Sequence, residues 1–213
     1  MIRPTVSDLS PVLKFSVGER QQLLALARDS IEAAAASKPI HEINLLEFSA
    51  NLQEPNACFV SLHKYGDLRG CTGVLVARAP LAMEVIRTAC QTALCDPRFP
   101  PVTANEVEHL DIEISVLTPP IKLELSSPVE LSRRIRPGID GVTLARGFYR
   151  ATFLPQVWER VPDPLLFLDL LCEKMGLPAR AWAFTKLDVE VYQVEQFSEA
   201  NILPLETSYG AGI

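Results

Sequence analysis

A chain of 213 residues, 48% hydrophobic and 22% charged, is long enough for one large domain or two small lobes around an apolar core. Its formal charge of −6 argues against a general attraction to nucleic acid or anionic lipid. The N-terminus lacks the basic-then-apolar order of a signal peptide and no apolar run approaches about 18 residues, so a soluble, cytoplasmic protein without a membrane partner is expected.

Residues 1–14 read as an extended arm with two prolines. Ser16 and Glu19 stand at capping-box spacing and open a helix carried by Leu23, Leu24, Ala27, Ile31 and Ala34. Residues 57–62 suit a strand, Lys64–Asp67 a turn, and Leu68–Val76 the returning strand. Pro80 fits the first position of an apolar helix that runs to Cys95, where the run Asp96-Pro97-Arg98-Phe99-Pro100-Pro101 breaks it. Thr103 and Glu106 form a second capping-box pair. Residues 111–116 alternate as a half-buried strand.

Further on, Ser127-Pro128 starts a short helix, Gly138–Gly141 turns, and residues 142–144 and 149–154 are strands. Asp163-Pro164 caps a helix over 165–175 that Gly176 closes. Residues 188–194 form a last strand, and the tail from Ser198 is expected to be loosely held. Hairpin signals without a strict strand–helix–strand rhythm predict an α+β fold with a mainly antiparallel, mixed sheet and flanking helices.

The five cysteines (58, 71, 90, 95, 172) include no Cys-x-x-Cys pair, and the odd count suits a reducing compartment. The three histidines stand alone, nucleotide-loop glycines are missing, and no metal or other cofactor is expected.

Chemistry concentrates in Leu68-Arg69-Gly70-Cys71-Thr72-Gly73. A three-residue loop with Gly66 left-handed would pair His63 with Asp67, Ser61 with Arg69 and Phe59 with Cys71, separating an apolar face from a polar one. A two-residue Tyr65-Gly66 turn would instead oppose Arg69 to Leu62 and mix the faces. The favoured register puts Cys71 roughly 13 Å from His63, too far for a Cys–His dyad. Cys71 is either a buried structural thiol or the reacting group. Arg69, beside two glycines, suits a carboxylate or phosphate, with an ion pair to Asp67, Glu113 or Asp140 as its structural alternative.

The hexapeptide resembles the signature of the AMMECR-one family, which usually carries isoleucine where this chain has Thr72. Residues 96–101, Glu113–Thr118, Gly138–Val142 and Ala151–Trp158 match the family as well, and the resemblance spans roughly 15–197, between the arm and a tail over 198–213. It implies a compact two-lobed α+β domain with a cleft near the hexapeptide. It also implies a place as protein A of a three-part system with a Memo-like protein and a radical-SAM protein, and no established activity.

Two readings follow. One is an enzyme or enzyme component acting on a small anionic ligand, with Cys71 and Glu113 catalytic and Arg69, Gly70, Thr72, Gly73 and Arg98 holding the ligand. The other is a non-catalytic binding or adaptor protein that works with the two partners. RNA binding by Arg133, Arg134, Arg136, Arg146 and Arg150 is a third, weaker reading, because only Phe148 and Tyr149 offer stacking surfaces.

Overall fold

The computed structural model describes residues 14–40 and 42–202. The expected N-terminal arm and most of the expected tail lie outside them. The chain divides into two compact units, residues 117–195 forming one and residues 14–116 with 196–202 the other.

The unit holding the hexapeptide is a four-stranded sheet with helices on one face. Its strands are β1 (Cys58–Lys64), β2 (Asp67–Gly73) and β3 (Leu110–Leu117), joined by β8 (Val194–Ser198) in the order β2-β1-β3-β8. Helix α1 (Val17–Ala35) starts at the expected capping box, which closes in both directions between Ser16 and Glu19. After the short helix α2 (Ala50–Gln53), helix α3 (Leu81–Cys95) packs on α1, β1 and β2. Alternation in β1 and β3 sends Val60, Leu62, Ile112 and Ile114 inward, where they meet Leu23, Ala27 and Ile31 of α1 and Val85 and Ala89 of α3 in one core.

The sheet-facing side of α3 is not purely apolar. Glu84, Thr88, Thr92 and, just past the helix, Asp96 follow one another at four-residue spacing and are all buried. Met83 and Leu94 of the same helix are exposed.

The other unit has sheet order β4-β7-β5-β6, with β4 (Ile121–Lys122), β5 (Gly141–Arg146), β6 (Tyr149–Phe153) and β7 (Asp188–Tyr192), antiparallel throughout. The short helix α4 (Leu131–Arg134) is followed by α5 (Pro164–Lys174), which covers the sheet and is capped as expected by Asp163, whose side chain accepts the Leu165 N–H. Phe167 of α5 stacks on Trp158 at 3.7 Å between ring centroids, and the Trp158 indole donates to the Asp140 carbonyl. No described helix is long and apolar enough to cross a membrane.

Two local expectations fail for stated reasons. Thr103 and Glu106 close no capping box, because the Glu106 carboxylate is taken by Arg69 and Lys64. The chain after Ser198 is anchored at its start: Glu199 pairs with Arg28 and accepts the Ile112 N–H at 3.0 Å.

Candidate functional site at the 58–73 hairpin

The hairpin register differs from the expected one, and the difference decides which groups meet. Tyr65 and Gly66 both have positive φ (53° and 89°), so the connection is a two-residue turn of the type that matches strand twist, flanked by Lys64 opposite Asp67. The mixing of faces that this turn would produce is cancelled one step later. His63 pairs with Leu68 and Leu62 with Gly70, so Arg69 is an extra residue, a bulge. Beyond it Cys71 lies opposite Ser61 and Gly73 opposite Phe59. The segregation of apolar from polar residues survives, but by turn and bulge rather than by a longer loop.

On the neighbouring strand Ser61 also lies opposite Glu113. Cys71, Ser61 and Glu113 therefore form one row across β2, β1 and β3, on the face turned away from α1 and α3. His63 stands two residues along β1 from Ser61, diagonal to Cys71. Diagonal side chains in such a pair are about 7–8 Å apart at Cβ, not 13 Å, although no hydrogen bond joins these two. All four side chains are half-buried. Among the described residues, Ser61 and Glu113 have no hydrogen-bonding or ionic partner, and His63 Nε2 is buried with none.

The arginines behave differently from one another. Arg69 is 13% exposed and gives Glu106 a two-pronged ion pair, Nε at 2.8 Å and Nη2 at 3.0 Å, while Nη2 also donates to the Pro100 carbonyl. Lys64 adds a second cation at 2.9 Å from the same carboxylate. The Arg69 hydrogen bonds, with help from Lys64 and against the effect of burial, hold Glu106 down at about 2. Arg69 is thus ion-paired, and with Glu106 rather than with Asp67, Glu113 or Asp140.

Arg98 sits beside Cys71. Its Nε and Nη2 grip Asp96 at 2.9 and 2.7 Å, and Nη2 also donates to the Cys71 carbonyl at 2.9 Å. Asp96 in turn accepts the Cys71 N–H at 2.8 Å. Because β2 is an edge strand, the Cys71 peptide groups point out of the sheet, and Asp96 and Arg98 take the place of a missing neighbour strand. The Arg98 hydrogen bonds, followed by the Cys71 and Arg98 backbone N–H groups, hold the Asp96 carboxyl far below the usual carboxylate range. The Arg98 guanidinium is raised above its ordinary value, first by its hydrogen bonds to Asp96 and further by Cys71. The Phe99 ring centroid is 5.8 Å from the Arg69 guanidinium and 5.6 Å from that of Arg98.

The glycines and Thr72 have distinct jobs. Gly70 is buried against α3, where a Cβ would lie 3.1 Å from the Thr92 methyl, and Thr72 shares a 2.7 Å hydroxyl contact with Thr92. Both serve the helix-packed side, away from the Cys71 row. Gly73 lies under the Phe59 ring, where an added Cβ would be 2.4 Å from a ring carbon. From the sequence Glu106 is only a capping residue, and Phe59 and Ser61 only pairing partners. Only the register and the tertiary contacts give them a role.

The matches to known proteins fall on the same stretch of chain. The AMMECR1 family model covers residues 24–197. The chain belongs to the AMMECR1 family. Two archaeal members are similar to it over most of their length. Protein MJ0810 of Methanocaldococcus jannaschii is 36% identical over 176 residues, 81% of this chain and 86% of that protein. Protein MK0488 of Methanopyrus kandleri is 37% identical over 191 residues, 87% and 91% respectively. The crystal structure of uncharacterized protein PH0010 from Pyrococcus horikoshii superposes with a TM-score of 0.80 at 35% identity, covering 89% of this chain and 95% of that one. The AMMECR1 fold is α+β, as expected, and none of these names states an activity.

Proposed function

We propose that this AMMECR1 protein is an enzyme or enzyme component with a small-molecule site on the polar face of the 58–73 hairpin, in which Cys71 is the reacting group. One observation carries the reading: Ser61, Glu113 and His63 hold unused hydrogen-bonding capacity on the same face as a half-buried thiol, while the surrounding Arg69, Glu106 and Asp96 are fully engaged. The Cys71 sulfur adds to a carbonyl carbon of the substrate: the S–C bond forms as the C=O π pair moves onto oxygen, which takes a proton from water. The thiol proton passes through Ser61 or one water to Glu113, two strand spacings away. Arg69 is a positioning residue here, held off the ligand by Glu106.

The test is alkylation by iodoacetamide near neutral pH, read cysteine by cysteine from peptide masses. Cys71 is expected to react about tenfold faster than Cys95, which is exposed at the end of α3, and Glu113→Gln is expected to slow Cys71 alone. A Cys71 slower than Cys95 overturns the reading.

A second reading, a non-catalytic adaptor for the Memo-like and radical-SAM partners that the family resemblance implies, draws on one fact: no base touches the thiol directly. It expects Cys71→Ala to leave co-elution with those partners unchanged. The RNA reading gains nothing, since Arg134, Arg136 and Arg150 are committed to Glu130, Asp140 and Glu190.

A further inference from the structure

We infer that the free edge of β2 beside Cys71 is a carboxylate site, built from the Gly73 N–H and the Arg98 guanidinium, and that the substrate of the Cys71 site is a small carboxylic acid. The inference rests on the reactive-thiol reading and adds the substrate class to it.

In an antiparallel pair, residues alternate between those that exchange hydrogen bonds with the partner strand and those whose peptide groups face away. Cys71 faces away, since its N–H and C=O go to Asp96 and Arg98. Val74 faces inward, donating to the Cys58 carbonyl at 3.0 Å. Gly73, paired with Phe59 and two residues on from Cys71, therefore points its N–H out of the same edge as Cys71. No hydrogen bond from it is made among the described residues. Asp96 and Arg98 stop one peptide short of covering the edge.

Arg98 supplies the second donor. Its Nε and Nη2 are spent on Asp96 and Cys71, whereas Nη1 has no oxygen acceptor among the described residues and the side chain is 54% exposed. The net charge of the Arg98–Asp96 pair is zero, but its two ends are not equivalent. Asp96 is buried behind the strand, 2% exposed, and the guanidinium faces outward. An incoming group meets two N–H donors and a positive charge.

A carboxylate offers two oxygens to two donors and gains charge-assisted bonds to both, which a neutral carbonyl does not. Gly73 fits the same role from its other side. The Phe59 ring fills the place of a side chain, so residue 73 must be glycine, and no Cβ shields its N–H. The site also reassigns the anion anchor from Arg69, which Glu106 neutralises, to Arg98.

Two thiol reagents of nearly equal size separate the possibilities. Iodoacetate carries a carboxylate and iodoacetamide does not. With both, the thiol first gives up its proton, and the thiolate then attacks the methylene carbon, the S–C bond forming as the C–I bond breaks and iodide leaves with the electron pair. The rate ratio of iodoacetate to iodoacetamide at Cys71 is expected to exceed the same ratio at Cys95 by about tenfold, equivalent to about 1.4 kcal/mol, and to fall to the Cys95 value in Arg98→Gln. Equal ratios at the two cysteines in the wild type overturn the carboxylate site while leaving a reactive Cys71 intact.

A measurement without the thiol covers the case in which Cys71 does not react. Acetate titrated to on the order of 100 mM is expected to shift the Gly73 amide resonance saturably, more strongly than inorganic phosphate does. Arg98→Lys, which keeps the charge and loses the fork, is expected to weaken that shift. No acetate shift, or a stronger response to phosphate, overturns the assignment.

Discussion

Asp96 accepts the Cys71 N–H at 2.8 Å across the open edge of the first sheet, so the peptide of the signature cysteine is fixed by a residue 25 positions away. Strand edges are ordinarily protected by charge, by a bulge or by a covering segment, and here a buried carboxylate and its arginine do it at one residue.

Replacing Asp96 by Asn keeps the size and removes the charge. The side chain is buried and makes charge-assisted bonds to Arg98 and Cys71, so the cost is expected to be about 2 kcal/mol in urea unfolding. The Cys71 amide is expected to lose hydrogen-exchange protection in the same variant. Unchanged stability and unchanged exchange together would show the edge contact to be idle.

Acid should act through Glu106 as well. Its folded value is lowered to about 2 from an ordinary 4.5, so it contributes stability that is fully present above about pH 5 and is lost as pH falls toward 2. Arg69→Gln leaves the carboxylate with Lys64 alone. The variant is expected to lose about 2–3 kcal/mol at pH 7 and to show a Glu106 titration moved upward, followed by carbon-13 NMR. An ordinary anion-binding arginine would give neither change.

Gly73→Ala drives a methyl into the Phe59 ring and the Cys58 carbonyl, 2.4 and 2.5 Å away. Overpacking of this kind costs about 1–3 kcal/mol. Part of the loss is expected to return in Phe59→Leu/Gly73→Ala, a coupling that thermal melts of the single and double variants measure.

Gly66→Ala tests the turn. At φ 89° an alanine is strained, and a loss of about 1 kcal/mol is expected, with no effect on the pairing of Cys71 with Ser61. Cross-strand NOEs between those residues report the pairing. Their disappearance would mean that turn and bulge form only together.

By itself the sequence determined the elements and the family. Capping residues, alternating strands and the hexapeptide are local signals, and α1, β1, β3 and α5 follow from them because each depends on neighbours within about four residues. Tertiary structure decided the site. A two-residue turn alone mixes the faces, and the compensating bulge at Arg69 takes shape only where β1, β2 and α3 pack together. The role of Arg69 depended on Glu106, 37 residues away, and that of Arg98 on a strand edge that no local pattern records. Charge and residue type say which side chains can bind an anion. Only the packed fold says which of them is already satisfied.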